Sequence, residues 1–367
     1  MKKITTVDLF CGAGGFSEGF SKSGGYSPKL AIDFDKQAIE TFKYNHPKIN
    51  AQCLDITKLI TGDIKTLVKN IDIDVIIGGP PCQGFSLAGK RLPDDPKNQL
   101  FKEYVRFVNI LRPKIFVFEN VVGLMSMQKG LVLEAICEEF KQIGYEVSYS
   151  VLNSADFGVA QARPRFILFG SDGSTKIPMP LATHEAKSEK NLDLYSSLKP
   201  YVSVKDALSN LPIIQQGEGS EELNNLEPKT DYQKLLIGNR NKGSLFNHRA
   251  TRHNERIVER YSLMPQGGDI KSLPKEFRTK KNNVFRLKES IPSRTITCNF
   301  RTDIIHPWSP RGLTTREAAR LQSFDDDYRF FGNLTRKAKY LTQDDQVGNA
   351  VPPLLAKAIA NHIKEYL

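Results

Sequence analysis

The sequence predicts a doubly wound α/β protein, with a mostly parallel sheet covered by helices on both faces and a smaller, loop-rich module added to it. Three observations carry this. Short β-branched or aromatic runs alternate with helix-patterned segments through the first 170 residues, regular patterning is lost over about 171–291, and it returns from about Pro292 to the end. A chain of 367 residues with 40% apolar composition can bury a full core and still carry a second module.

Strands are expected at residues 5–10, 29–33, 51–56, 73–77, 115–119, 145–152 and 165–170. Between them, residues 36–44, 99–111 and 131–143 place apolar side chains at helical spacing, which gives the βαβ rhythm of a parallel sheet. After Gly170 come loop signals such as Ile177-Pro178-Met179-Pro180, Gln216-Gly217-Glu218-Gly219 and Gln266-Gly267-Gly268. Thr314-Thr315 ahead of Arg316-Glu317 reads as a helix cap, and a last helix from about Pro352 is expected to cover the first strand. The domains expected are therefore 1–170, 171–291 and a return segment, 292–367, completing the first.

The formal charge of +11 favours a polyanionic partner, although other basic enzymes share such values. Five scattered cysteines without paired spacing argue for neither disulfides nor a metal site. No apolar stretch has membrane-spanning length and Met1-Lys2-Lys3 leads straight into a strand, so a cytoplasmic protein without a membrane partner is expected.

In open α/β sheets ligands collect at the carboxyl ends of the strands, and these ends carry the chemistry here. The first is followed by the glycine-rich turn Phe10-Cys11-Gly12-Ala13-Gly14-Gly15, with Ser17 where a dinucleotide fingerprint needs glycine. Asp33-Phe34 and Asp55-Ile56 end the next two, offering carboxylates to ribose hydroxyls or an adenine amine and apolar walls to the ring; either aspartate would serve equally as a helix cap. Together the three ends favour an adenosine-type cofactor without a pyrophosphate, for which S-adenosyl-L-methionine is the natural candidate. Cys82, in Gly79-Pro80-Pro81-Cys82-Gln83, is a thiol presented on a stiff loop after the fourth strand, and the fifth brings Glu119-Asn120-Val121 to the same edge. Gln161-Ala162-Arg163-Pro164-Arg165 adds two arginines that would bind anions or form ordinary ion pairs.

On these segments, together with Arg311 to Phe324 and Gln346-Val347-Gly348-Asn349-Ala350-Val351-Pro352-Pro353, the chain resembles the DNA (cytosine-5-)-methyltransferase family of prokaryotic restriction-modification systems, everywhere except its middle third. It departs mildly at Asp325-Asp326-Asp327, where the family usually has a proline. The resemblance implies an S-adenosylmethionine-dependent methyltransferase fold whose middle third is the target-recognition domain. It implies that Cys82 attacks carbon 6 of a cytosine flipped out of double-stranded DNA, that Glu119 acts as the acid at N3 if burial keeps it protonated, that Arg165 holds O2, and that Arg163 lies near the nucleophile and favours its thiolate. A carbonyl in the Pro80 region would accept from the exocyclic amine. The cofactor would meet Phe10, Gly12, Asp33, Phe34, Asp55, Ile56, Pro81, Leu100, Asn349 and Val351, although Asn349 alone would read as a turn residue. In the middle third, Arg240, Lys242, Arg249, Arg252, Arg256, Arg260, Lys271, Lys275, Arg278, Lys280 and Lys281 would supply mostly phosphate contacts or solvated surface. A monomer with no obligatory protein partner is expected, accompanied by a separate restriction endonuclease; a tRNA methyltransferase and a non-catalytic DNA-binding homologue are the rival readings.

Overall fold

The computed structural model describes residues 3–69, 71–81, 99–173, 175–186, 197–224, 226–240, 243–281, 283–334 and 340–367. A seven-stranded sheet is built from β1 (Ile4–Leu9), β2 (Tyr26–Asp33), β3 (Asn50–Cys53), β4 (Val75–Gly78), β5 (Ile115–Asn120), β6 (Tyr145–Asn153) and β7 (Pro164–Asp172) in the order β3-β2-β1-β4-β5-β7-β6. The first five in that order run parallel; β7 is antiparallel to both β5 and β6. The order reverses between β1 and β4, which makes their carboxyl ends the topological switch point.

Local chemistry accounts for the element limits. β1 stops at Leu9 because Phe10 adopts a left-handed φ of 56°. Its register against β2 slips after the Thr6–Pro28 pair, where proline has no N–H to give. The strand expected over 51–56 ends at Cys53, since Asp55 accepts from the Thr57 amide (3.1 Å) and caps the short 3-10 turn Ile56–Lys58. Helices α1 (Gly15–Ser23), α2 (Lys36–Asn45), α3 (Thr61–Leu67), α4 (Gln99–Leu111) and α5 (Leu131–Gln142) join the strands. The sequence did not signal α3, whose only buried residue is Ile64. α4 drives Phe101, Tyr104, Phe107 and Val108 into the core, where Tyr104 stacks edge-on against Phe118 at 5.6 Å and gives its hydroxyl hydrogen to the Val117 carbonyl (2.9 Å).

The chain groups into two compact units, one comprising Met1–Asn153, Pro164–Leu181 and Leu355–Leu367, the other Ser154–Arg163 and Ala182–Leu354. Within the first, the C-terminal helix Pro353–Ile363 buries Leu355, Ile359 and Ile363; its Ala360 carbonyl accepts from the Tyr26 hydroxyl (2.7 Å) at the head of β2, and His362 stacks near Phe169 of β7. Of the expected return segment, only Leu355–Leu367 groups with the sheet. Residues up to 354 group with the middle module because the helix Thr315–Leu321 is built into its core: buried Arg316 donates to the Phe246 carbonyl (2.7 Å), and the Arg320 carbonyl accepts from the Tyr232 hydroxyl (2.8 Å). That helix begins at Thr314 with the expected cap, here a capping box with Glu317. The second unit also holds the hairpin Gly219–Asn224/Ser244–Arg249 and the helix Glu255–Leu263, capped by Asn254. Among the described residues no helix is long and apolar enough to cross a membrane.

Candidate active site

The parallel register sets the site residues in one row. Leu9 pairs with Ile32 on one side and Gly78 on the other, Asp33 pairs with Cys53, and Gly78 pairs with Phe118. Phe10, Asp33, Gly79 and Glu119 thus leave the sheet side by side, with Asp55 just beyond β3.

On the β1–β2–β3 side, Asp33 is held on both oxygens: the Gly12 amide donates to Oδ2 and the Asp35 amide to Oδ1, each at 2.8 Å. Burial raises its carboxyl above the ordinary range against the opposing pull of these amides. Phe34, the next residue, is 75% exposed, an aromatic face with no packing to keep it in water. Asp55 also accepts from the Thr57 hydroxyl (2.7 Å), which lowers its carboxyl, so it carries out the capping duty that was its alternative reading. Asp33 is no helix cap; Asp35 fills that place for α2. Gly12 and Asp33 are only partly buried, Pro81 is exposed, and Leu100 half-buried at the start of α4, whereas Ile56 packs in the sheet's core. A pair of oriented carboxylates beside a bare aromatic ring, with no cation within the glycine turn 10–15 itself, suits an adenosine group rather than a pyrophosphate.

On the β4–β5 side, Glu119 is buried to 9% and its Oε1 lies 3.0 Å from Arg165 Nε. Burial lowers the Arg165 guanidinium while the Glu119 charge opposes that shift. The carboxylate lies so close to the β4 exit that a Cβ on Gly79 would stand 2.7 Å from Oε2. Asn120 donates from Nδ2 to the Pro80 carbonyl (3.0 Å), tying the β5 end to the start of the proline turn. The sequence marked Asn120 only as part of its tripeptide; an amide directly after the strand-end Glu119 is the signal that points to a loop anchor. Cys82 and Lys242 lie outside the described residues.

Arg163 is 1% exposed, and its guanidinium donates to the carbonyls of Ile296 (2.8 Å), Gly348 (2.6 Å) and Ala350 (3.1 Å). Asn349, at the end of the helix Gln343–Asn349, is exposed, and Val351 is buried. Asp8, in β1, was given no role by the sequence: it is 2% exposed, accepts from Ser17 (2.6 Å) on Oδ2, and burial pushes its carboxyl up to about 7. The Asp325-Asp326-Asp327 departure is structural. Asp326 takes both arms of buried Arg320 at 2.7 Å, and Asp327 pairs with Arg240 (3.0 Å). Arg240 therefore belongs to the fold of its unit, as do Arg278, which donates to the Leu273 carbonyl, and Lys281, paired with Asp303.

Comparison with known proteins agrees across the whole chain. The family model described as C-5 cytosine-specific DNA methylase matches residues 4–365. The type II methyltransferase M.DdeI of Desulfomicrobium norvegicum is 40% identical over 99% of this chain and 89% of its own, and M1.HphI of Haemophilus parahaemolyticus 36% identical over 98% and 86%. Among solved structures, a prophage-encoded protein of E. coli superimposes with a TM-score of 0.77 at 28% identity, covering 99% of both chains. The S. pombe Dnmt2 methyltransferase shares the fold alone, with a TM-score of 0.63 at 16% identity and 99% of both chains covered. A match spanning both units, over a sheet that carries a buried glutamate–arginine pair against the exit of β4, places the chain in the C-5 cytosine-specific DNA methylase family, as a DNA (cytosine-5-)-methyltransferase of restriction-modification type.

Proposed function

We propose that this enzyme methylates carbon 5 of a cytosine flipped out of a specific duplex DNA sequence, through a transient bond between Cys82 and carbon 6. The observation that carries the reading is the Glu119–Arg165 pair, buried against Gly79 at the exit of the strand that leads to Cys82. Carbon 5 of cytosine is a poor nucleophile. Addition of the Cys82 thiolate to carbon 6 gives the ring enamine character, and the acid form of Glu119 donates its proton to N3, relieving the charge the attack places on the ring and leaving a carboxylate that Arg165 pairs with. Arg165 directs its remaining donors at the base's O2, and a carbonyl of the Gly79-Pro80 turn accepts from the exocyclic amine, selecting cytosine over uracil or thymine. Loss of the C5 proton, with water as the base, then expels the thiolate and restores the cysteine.

S-adenosyl-L-methionine, when bound, supplies the electrophilic methyl group. Phe10, Gly12, Asp33, Phe34, Asp55, Ile56, Pro81, Leu100, Asn349 and Val351 are the residues assigned to it. Asp33, fixed by two backbone amides, accepts from the ribose hydroxyls, and exposed Phe34 flanks the adenine. Asp55, its Oδ1 engaged by Thr57 and its Oδ2 3.7 Å from the exposed Lys58 ammonium, accepts from the adenine amine. Reaching carbon 6 requires the base outside the stack, at roughly a few kcal/mol for unstacking and unpairing. The middle module supplies the recognition surface, and an endonuclease reading the same site is the expected companion.

Bisulfite sequencing of DNA from cells expressing the protein should show 5-methylcytosine in one sequence context. The purified enzyme should form a covalent adduct with 5-fluorocytosine DNA that Cys82→Ser abolishes. An adduct persisting in Cys82→Ser removes Cys82 as the nucleophile, and methyl incorporation into tRNA but not duplex DNA overturns the substrate.

A further inference from the structure

The surroundings of Arg163 describe a splint. Its Nη2 donates to the carbonyls of Gly348 and Ala350, the two residues flanking Asn349, while Nη1 holds the Ile296 carbonyl. The last carbonyls of a helix lack intrahelical partners, and here a buried side chain supplies them from outside. Gln322 does the same one residue earlier, donating from Nε2 to the Val347 carbonyl at 2.8 Å. Packing locks the turn from the other side: a Cβ on Gly348 would lie 2.5 Å from the Cys298 nitrogen, so only glycine admits this approach. Within this frame Asn349 alone is exposed, its Oδ1 accepting from the Cys298 thiol at 3.1 Å. A guanidinium suits the task because its donors form a rigid planar fork that can meet several carbonyls at fixed angles; an ammonium is one compact charge.

We infer that Arg163 is a positioning residue for Asn349: it fixes the C-terminal turn of the helix Gln343–Asn349 so that one amide is displayed for the cofactor. The inference rests on the reading that Asn349 meets S-adenosyl-L-methionine. It gives Arg163 a role distinct from raising the Cys82 thiolate fraction, and the two roles separate under a substitution that keeps the charge and loses the fork.

The test is Arg163→Lys in the full-length enzyme, with S-adenosyl-L-methionine affinity read by calorimetry and kcat measured at saturating cofactor across pH. Positioning predicts a Kd raised about tenfold or more, with kcat and its pH profile within about twofold of wild type, and faster hydrogen exchange confined to the 343–351 region. Retained cofactor affinity with a lowered kcat and an alkaline-shifted profile overturns it in favour of thiolate activation. Asn349→Ala and the double variant complete a cycle: if Arg163 acts through Asn349, the Arg163→Lys penalty disappears in the Asn349→Ala background, whereas multiplicative penalties overturn the inference. Unchanged affinity in Asn349→Ala alone rejects the underlying cofactor assignment instead. Should Arg163→Lys fail to fold, Gln322→Ala, which removes the neutral clamp on the same turn, carries the test: a several-fold weaker cofactor Kd with kcat retained supports it, and wild-type affinity overturns it.

Discussion

Gly79 packs directly against Glu119, the carboxyl proposed as the acid, without sharing its chemistry. A methyl group there would stand 2.7 Å from Glu119 Oε2, closer than real Cβ contacts, so either the carboxylate or the β4 exit must move. Misplacement of a catalytic group by about 1 Å costs roughly 10²-fold in rate. Gly79→Ala should therefore lower kcat by about that factor and leave S-adenosyl-L-methionine binding within about twofold, since Asp33 and Asp55, the carboxylates proposed for the cofactor, lie at β2 and beyond β3; an unchanged kcat rejects the close packing as functional. The pairing of Glu119 with Arg165 joins two segments that the sequence singled out by their motifs. The Gly79 contact was not legible there, because it arises from the pairing of Gly78 with Phe118 across two strands far apart in sequence. Nor was the burial of Arg163: a local string cannot show that three carbonyls from more than 130 residues downstream surround it.

The β1–α1 junction combines a turn open to a cofactor with a carboxyl that its surroundings disfavour when charged. Asp8 lies on β1 and reaches Ser17 in the first turn of α1, and burial raises its pKa to about 7, with Asp33 adding to the shift and the Ser17 hydrogen bond opposing it. A folded-state value above the unfolded value of about 3.9 means the native state holds its proton longer than the unfolded chain. The associated stability is present at low pH and is lost as pH rises from about 4 through about 7, up to about 4 kcal/mol at 1.36 kcal/mol per unit. Asp8→Asn keeps the acceptor for Ser17 and removes the charge, so its urea midpoint should gain on wild type between pH 5 and pH 8; a gap that stays constant with pH contradicts the assignment. The elements flanking this junction were readable because period-2 and period-3.6 patterns switch cleanly there. The failures came where one side chain redirects the backbone, as Asp55 does after β3, or where a helix buries a single residue, as α3 does.

The formal charge of +11 acts on the encounter with DNA before any base is read. The second unit divides its cations by function. Arg240, Arg320, Arg311 and Arg301 are tied to carboxylates within the unit, whereas Arg252, Arg256, Lys271, Lys275 and Lys280 are exposed. Such exposed cations are placed to displace counterions, and each phosphate they neutralise should contribute about 0.9 to the slope of log affinity against log salt. Arg252→Gln with Arg256→Gln should therefore flatten that slope by about 2 and weaken specific and non-specific duplexes alike, with thermal stability within about 0.5 kcal/mol of wild type. Arg240→Gln should do the reverse, because it takes away the guanidinium that neutralises Asp327, a carboxylate at 0% exposure: stability falls by on the order of 2 kcal/mol while the salt slope stays as it was. Fluorescence anisotropy across a salt series and urea denaturation of both variants decide the matter. If the Arg252/Arg256 variant loses affinity for the cognate site alone, at constant slope, those two side chains read bases rather than backbone, and the sequence specificity of the enzyme begins at the helix that carries Arg256.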